Sequence, residues 1–122
     1  MKPDRNGPRR LRMGETVRHA TARILARASF RDPDLQALDM VTVSEVVMSP
    51  DLKQATAFVS MMGRDDTDDT VAALNRAAGR IRGELGRMLD AKFTPRLQFQ
   101  RDRSFEEADR IEALIRRNQH GS

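Results

Sequence analysis

The 122-residue chain has no cysteine, no tryptophan and no tyrosine, and only five phenylalanines. Without cysteine there is no disulfide and no thiol nucleophile, which makes a reducing compartment the simplest setting. Without tryptophan or tyrosine, a sheet that binds RNA by stacking bases on aromatic rings has little to stack them on. No apolar run approaches the roughly 20 residues that cross a bilayer. The arginine-rich start lacks the apolar segment of a secretory signal, so the expectation is a soluble, cytoplasmic protein. Catalytic equipment is equally thin. There is no paired nucleophile and base, no glycine-rich phosphate loop of the Walker type and no cluster of metal ligands. His19 reads as a surface or half-buried side chain and His120 as part of a tail. The acidic loop Gly63–Asp69 lacks the glycine and distal glutamate of a helix-loop-helix calcium site. Neither an enzyme, nor a metal or cofactor, nor a small-molecule substrate is expected.

What the chain does have is arginine. Lys and Arg number 22 against 18 Asp and Glu, for a net charge of +4, and the imbalance is segregated. Residues 1–31 hold 9 basic and 2 acidic residues, 32–75 hold 2 and 9, 76–103 hold 8 and 3, and 104–122 hold 3 and 4. Two basic blocks flank an acidic one, as expected of a fold that gathers cations on one face for a phosphate-rich partner. Arginine contacts favour backbone phosphates and shape over base reading, and they make binding strongly salt-dependent.

In chain order, residues 1–8, with Pro3, Gly7 and Pro8 among polar neighbours, read as a disordered basic arm. From Arg9 to Ser29, Val17, Ala20, Ile24, Leu25 and Ala28 trace a helical stripe, with Arg18, Arg23 and Arg27 beside or opposite it. Asp32-Pro33 breaks that helix. Met40–Met48 is rich in β-branched residues and alternates at Val41, Val43 and Val47. Gln54–Met62 alternates through Ala55, Ala57, Val59 and Met61, and the turn chemistry of Ser49–Lys53 between them predicts an antiparallel hairpin. Phe58 and Met62 lie on the other side of the second strand, so the pattern does not decide which side faces the helices. Arg96–Arg101 reads as a third, half-buried strand. Ser104 and Glu107 have the spacing of a capping box, followed by a helical stripe of Ala108, Ile111, Leu114 and Ile115 and a disordered tail at 118–122. Three strands cannot bury a core alone, so helices must cover the sheet in one α+β domain over 9–117.

Between the second and third strands two helical patterns meet. Val71 and Leu74 mark one, led in by Asp68, Asp69 and Thr70; Ile81, Leu85, Met88 and Leu89 mark the other. The joint is Ala77-Ala78-Gly79. Its small side chains let the backbone bend and a ligand come close, and a helix starting at Gly79 would aim amide groups at an anion. Arg76, Arg80, Arg82 and Arg87 fall largely off the buried stripe, which gives this region a basic side.

Five segments then stand out together: Asp32-Pro33-Asp34-Leu35, Val41-Thr42-Val43, the run from Ser49 to Ala55, the run from Ala77 to Leu85, and the run from Pro95 to Asp102. In this order and spacing, from about Arg9 to Leu114, the chain resembles the ribosome-binding factor A family. The resemblance implies a type II KH-like domain, α-β-β-α-α-β, in which an Ala-x-Gly kink, here Ala77-Ala78-Gly79, replaces the usual Gly-x-x-Gly loop, plus a C-terminal helix. It implies a non-catalytic assembly factor that binds the small (30S) ribosomal subunit near its decoding and neck region during late maturation. Such a factor contacts 16S rRNA, assists processing of its 5′ end and leaves before translation. The family often has arginine where this chain has Asp34, and some members have a longer tail after the final helix. The residues expected at the RNA are Arg76, Ala77, Ala78, Gly79, Arg80, Arg82, Arg87 and Lys92, joined by Arg18, Arg23 and Arg27 of the first helix, on a monomer. Two other readings are a KH-like regulator of single-stranded messenger RNA, which the missing Gly-x-x-Gly clamp disfavours, and a protein-binding adaptor.

Overall fold

The computed structural model of the protein describes residues 7–61, 63, 66–90 and 92–120. Apart from two short 3-10 helices, Pro33–Leu35 and Leu38–Met40, seven elements follow one another among the described residues: α1 (Pro8–Arg27), β1 (Thr42–Met48), β2 (Gln54–Ser60), α2 (Thr67–Arg76), α3 (Ala78–Met88), β3 (Arg96–Arg101) and α4 (Ser104–His120). Most of the expected arm and the last two residues of the expected tail lie outside the described residues. Pro8 is the first residue of α1, a position where its missing N–H costs nothing, so the helix begins one residue earlier than its apolar stripe suggests. At the far end α4 continues through Asn118 to His120.

The sheet has the order β1-β2-β3, with β1 and β2 antiparallel and β2 and β3 parallel. One face is buried. Val43, Val46 and Met48 of β1, Ala55, Ala57 and Val59 of β2, and Leu97 and Phe99 of β3 point into a core completed by Val17, Ile24 and Leu25 of α1, Leu74 of α2, and Ile81 and Leu85 of α3. Helix α1 lies over β1, α2 and α3 lie over β3, and α1 packs beside α3. The alanines of the central strand settle what its two-sided pattern left open, because Ala55, Ala57 and Val59 are wholly buried while Phe58 is half-buried on the opposite face.

Two expectations are corrected. The alternation Val41-Val43-Val47 does not persist along β1, because a bulge at Ser44 shifts the pairing from Val43↔Val59 to Glu45↔Phe58. One extra residue reverses the parity of everything after it, so Val46 and Met48 face the core and Val47 does not. The capping box also fails. The Ser104 hydroxyl donates to the Asp102 carboxylate at 2.6 Å, and the Glu107 amide donates to the Arg103 carbonyl. Asp102 is thus a hub: its carboxylate accepts from the Ser104 amide, the Ser104 hydroxyl and the hydroxyl of the bulge residue Ser44. These bonds hold its carboxyl below the usual carboxylate range, the Ser104 hydroxyl contributing most. Beyond this hub, Ile111, Leu114 and Ile115 of α4 remain about half exposed.

Candidate nucleic-acid interface

Helices α2 and α3 are separated by a single non-helical residue. Ala77 (φ −91°, ψ 2°) ends one and begins the other, its amide donating to the Ala73 carbonyl and its carbonyl accepting from the Ile81 amide, both at 3.0 Å. Alanine adopts this backbone without strain. Neither Gly79 nor Gly83 is required by packing, since a Cβ added at either would meet nothing within 4 Å.

The buried residues Ile81 and Leu85 orient α3 so that its cations divide between two flanks. Arg80, Glu84 and Arg87, at i, i+4 and i+7, line one flank. Arg82 lies on the other with Gly79, Gly83 and Gly86, and its guanidinium donates to the Thr94 carbonyl at 2.7 Å and the Pro95 carbonyl at 3.2 Å. Arg82 therefore pins the segment entering β3. Gly86 belongs to the same packing, because a Cβ there would come within 2.7 Å of the Thr94 hydroxyl.

The flank of Arg80 and Arg87 faces α1. At the upper end the Arg80 guanidinium stacks 4.4 Å from the centre of the Phe30 ring. Next, Arg27 donates to the Met88 sulfur at 3.6 Å, and Arg27, Glu84 and Arg87 line a shallow depression of about 270 Å³. At the lower end Lys92 lies across a wider groove from Arg9 and Arg12. Arg23 stands one turn before Arg27 on the same side of α1. Among the described residues none of Arg9, Arg12, Arg23, Arg27, Arg87 and Lys92 forms an ion pair. The α1–α3 seam is thus a predominantly cationic track, with Glu84 among its cations but in no ion pair with Arg27 or Arg87.

Three expected contact residues lie elsewhere or are engaged. Arg76 pairs with Asp32 at 2.9 Å and Asp34 at 3.5 Å. The Asp32 carboxyl is held below its usual range by the Asp34 amide first and Arg76 second, and the guanidinium of Arg76 is held above its own by Asp32. Arg18 sits on the other flank of α1 from Arg23 and Arg27 and is clamped by Glu15 at 2.8 Å. Arg82 serves β3, as described. Arg9 and Arg12 were absent from the sequence-derived set, although their spacing to Arg23 and Arg27 on the helical wheel carries the signal. Asn75 was missed as well: its side-chain amide donates to the Phe99 carbonyl at 3.0 Å and accepts from the Phe99 amide at 2.8 Å, so it acts as a strand partner to the outer edge of β3.

No helix among the described residues is long and apolar enough to cross a membrane. Comparisons with known proteins agree with the fold. Residues 9–115 match the family model "Ribosome-binding factor A". A ribosome-binding factor A from Maricaulis maris is 49% identical over 109 residues, covering 89% of this chain and 77% of that protein. One from Bradyrhizobium sp. (strain ORS 278) is 50% identical over 108 residues, covering 88% and 78%. Among solved structures, a putative ribosome-binding factor A of Thermotoga maritima superposes with a TM-score of 0.64 at 30% identity over 82% of this chain and 90% of that one. A Thermus thermophilus homology model fitted into a cryo-EM map of a 30S complex gives a TM-score of 0.57 at 25% identity over 74% and 91%. From matched residues that span α1 to α4, the chain belongs to the ribosome-binding factor A family.

Proposed function

We propose that this protein is a non-catalytic ribosome assembly factor that binds the small (30S) subunit through its 16S rRNA during late maturation and assists processing of the rRNA 5′ end. In this reading the chain is a monomeric type II KH-like domain acting in the cytoplasm, with Ala77-Ala78-Gly79 as the kink that replaces a Gly-x-x-Gly loop. The observation that carries it is the α1–α3 seam. Two helices distant in sequence place Arg23, Arg27, Arg80 and Arg87 along one track, continued by Lys92 in the segment after α3, with no internal carboxylate paired to Arg27 or Arg87. A row of cations spanning two rigid helices suits the phosphates of folded RNA, whose spacing such a scaffold can match without ordering a loop.

The test is sedimentation with purified ribosomal subunits over a range of salt. Comigration with the small subunit alone, fading steeply as salt rises, is the expected result. Association with neither subunit, or association insensitive to salt, would overturn it. The Arg27→Gln/Arg87→Gln variant, with both side chains at the surface, should fold normally and bind at least tenfold more weakly, about 1.4 kcal/mol.

A further inference from the structure

Below the seam the molecule has a second concave surface with a different character. Arg9, Arg12 and Met13 occupy positions i, i+3 and i+4 of α1 and so share one side of the helix. Opposite them stand Lys53 and Leu52 of the β1–β2 turn and Lys92 and Phe93 of the segment after α3, around an open groove of about 750 Å³. Four cations face one carboxylate, Asp51. That carboxylate is engaged by its own turn, accepting from the Ser49 hydroxyl at 2.7 Å and the Lys53 amide at 3.0 Å. The same bonds pre-order the turn, which holds Leu52 at φ 62°, a left-handed backbone that leucine rarely adopts, with its side chain in the groove. Phe93 is 50% exposed although the chain has so few aromatic rings.

We propose that this groove binds an unpaired nucleotide of an RNA strand, its base against the Phe93 ring and the flanking phosphates held by Arg9, Arg12, Lys53 and Lys92. The inference rests on the RNA-binding reading above but assigns an adjoining site, which shares Lys92 with the seam, and a different chemistry. The seam is mainly cationic, with the Phe30 ring already covered by the Arg80 guanidinium, which suits duplex phosphates. The groove adds an exposed ring and the apolar side chains of Met13 and Leu52, a surface for the face of a base rather than for a phosphate. The volume is in the range of small-ligand clefts, which is enough space for a nucleotide.

Phe93→Trp gives the chain its only tryptophan and makes the site directly observable. Titration of the full chain with a short single-stranded RNA should quench that tryptophan, whereas a blunt RNA duplex and polyglutamate should not. In anisotropy measurements Phe93→Ala should weaken single-strand binding about tenfold, Phe93→Tyr should retain it, and Arg9→Gln/Arg12→Gln should weaken it and flatten its salt dependence. Thermal melts check that each variant is folded. The proposal is overturned if Phe93→Ala binds the single strand as the parent does, if polyglutamate quenches equally, or if the duplex competes at Phe93. Should the groove variants be silent while Arg27→Gln/Arg87→Gln still loses the small subunit, the groove is wrong and the assembly-factor reading stands. Loss of both small-subunit and RNA binding by the parent chain overturns both.

Discussion

Gly79 and Gly83 are glycines without an internal reason to be so. The backbone bend lies at Ala77, and the space where each Cβ would project is empty. In a helix interior glycine is less favourable than alanine by roughly 0.5–1 kcal/mol. Gly83→Ala and Gly79→Ala should therefore raise the urea midpoint, while both should weaken small-subunit binding if RNA backbone approaches that flank. Stabilisation with unchanged binding would remove the glycines from the interface. Gly14 is the opposite case, since its Cβ would come within 2.7 Å of the Val46 carbonyl oxygen, a backbone atom that cannot turn aside. Gly14→Ala should cost about 1–3 kcal/mol by denaturant unfolding, because α1 must lift from β1. Asp102 adds a pH signature. Its folded pKa lies below its unfolded value, so its contribution is present above the ordinary carboxylate range and is lost as pH falls through the folded pKa. Asp102→Ala should therefore lower Tm clearly at pH 7 and progressively less as pH falls below an unperturbed carboxylate value near 3.9.

At the scale of elements, the hydrophobic periodicities located α1 and α3 to within a residue or two, because each buries one stripe on the same sheet face, whereas α2 begins at Thr67, so Asp68, Asp69 and Thr70 lie in its first turn and do not precede it. The parity of β1 was not legible. A bulge costs one residue and leaves no compositional mark when the inserted residue is a serine among valines, yet it decides whether Val46 or Val47 is in the core. The site was legible in part for a similar reason. That α3 is basic can be read from Arg80, Arg82 and Arg87, but their division into a seam-facing flank and a β3-facing flank follows from which side α1 covers. The consequence is testable on the arginines themselves. Arg82→Gln should destabilise the fold, by about 1–2 kcal/mol from two lost charge-assisted bonds, with little effect on binding once the protein is folded. Arg87→Gln should do the reverse. Equal effects of the two on subunit affinity at equal stability would contradict the two-flank arrangement.

Over the whole molecule, the segregation of charge along the chain becomes a separation in space only after internal neutralisation. The acidic block supplies Asp32 and Asp34 to Arg76, and Asp68 to Arg101 at 3.4 Å and Arg103 at 4.0 Å, so the cations near the β3 edge are covered while the seam keeps its charge. A net charge of +4 thus understates the field that RNA would meet at α1 and α3. The slope of log affinity against log salt counts the phosphates neutralised, roughly 0.7–0.9 for each. If the seam is the contact surface, Arg27→Gln/Arg87→Gln should reduce that slope by somewhat less than two, as well as reducing the affinity. Asp34→Arg gives the complementary result. It removes one negative charge and adds one positive, taking the net charge from +4 to +6, while Arg76 keeps its closer partner Asp32. A partner recognised through the field of this face should then bind more tightly at low salt, with the gain vanishing as the Debye length shrinks to about 3 Å near 1 M. A gain that persisted at high salt would mean a direct contact at residue 34, and no gain at any salt would place this edge of α2 outside the partner's reach.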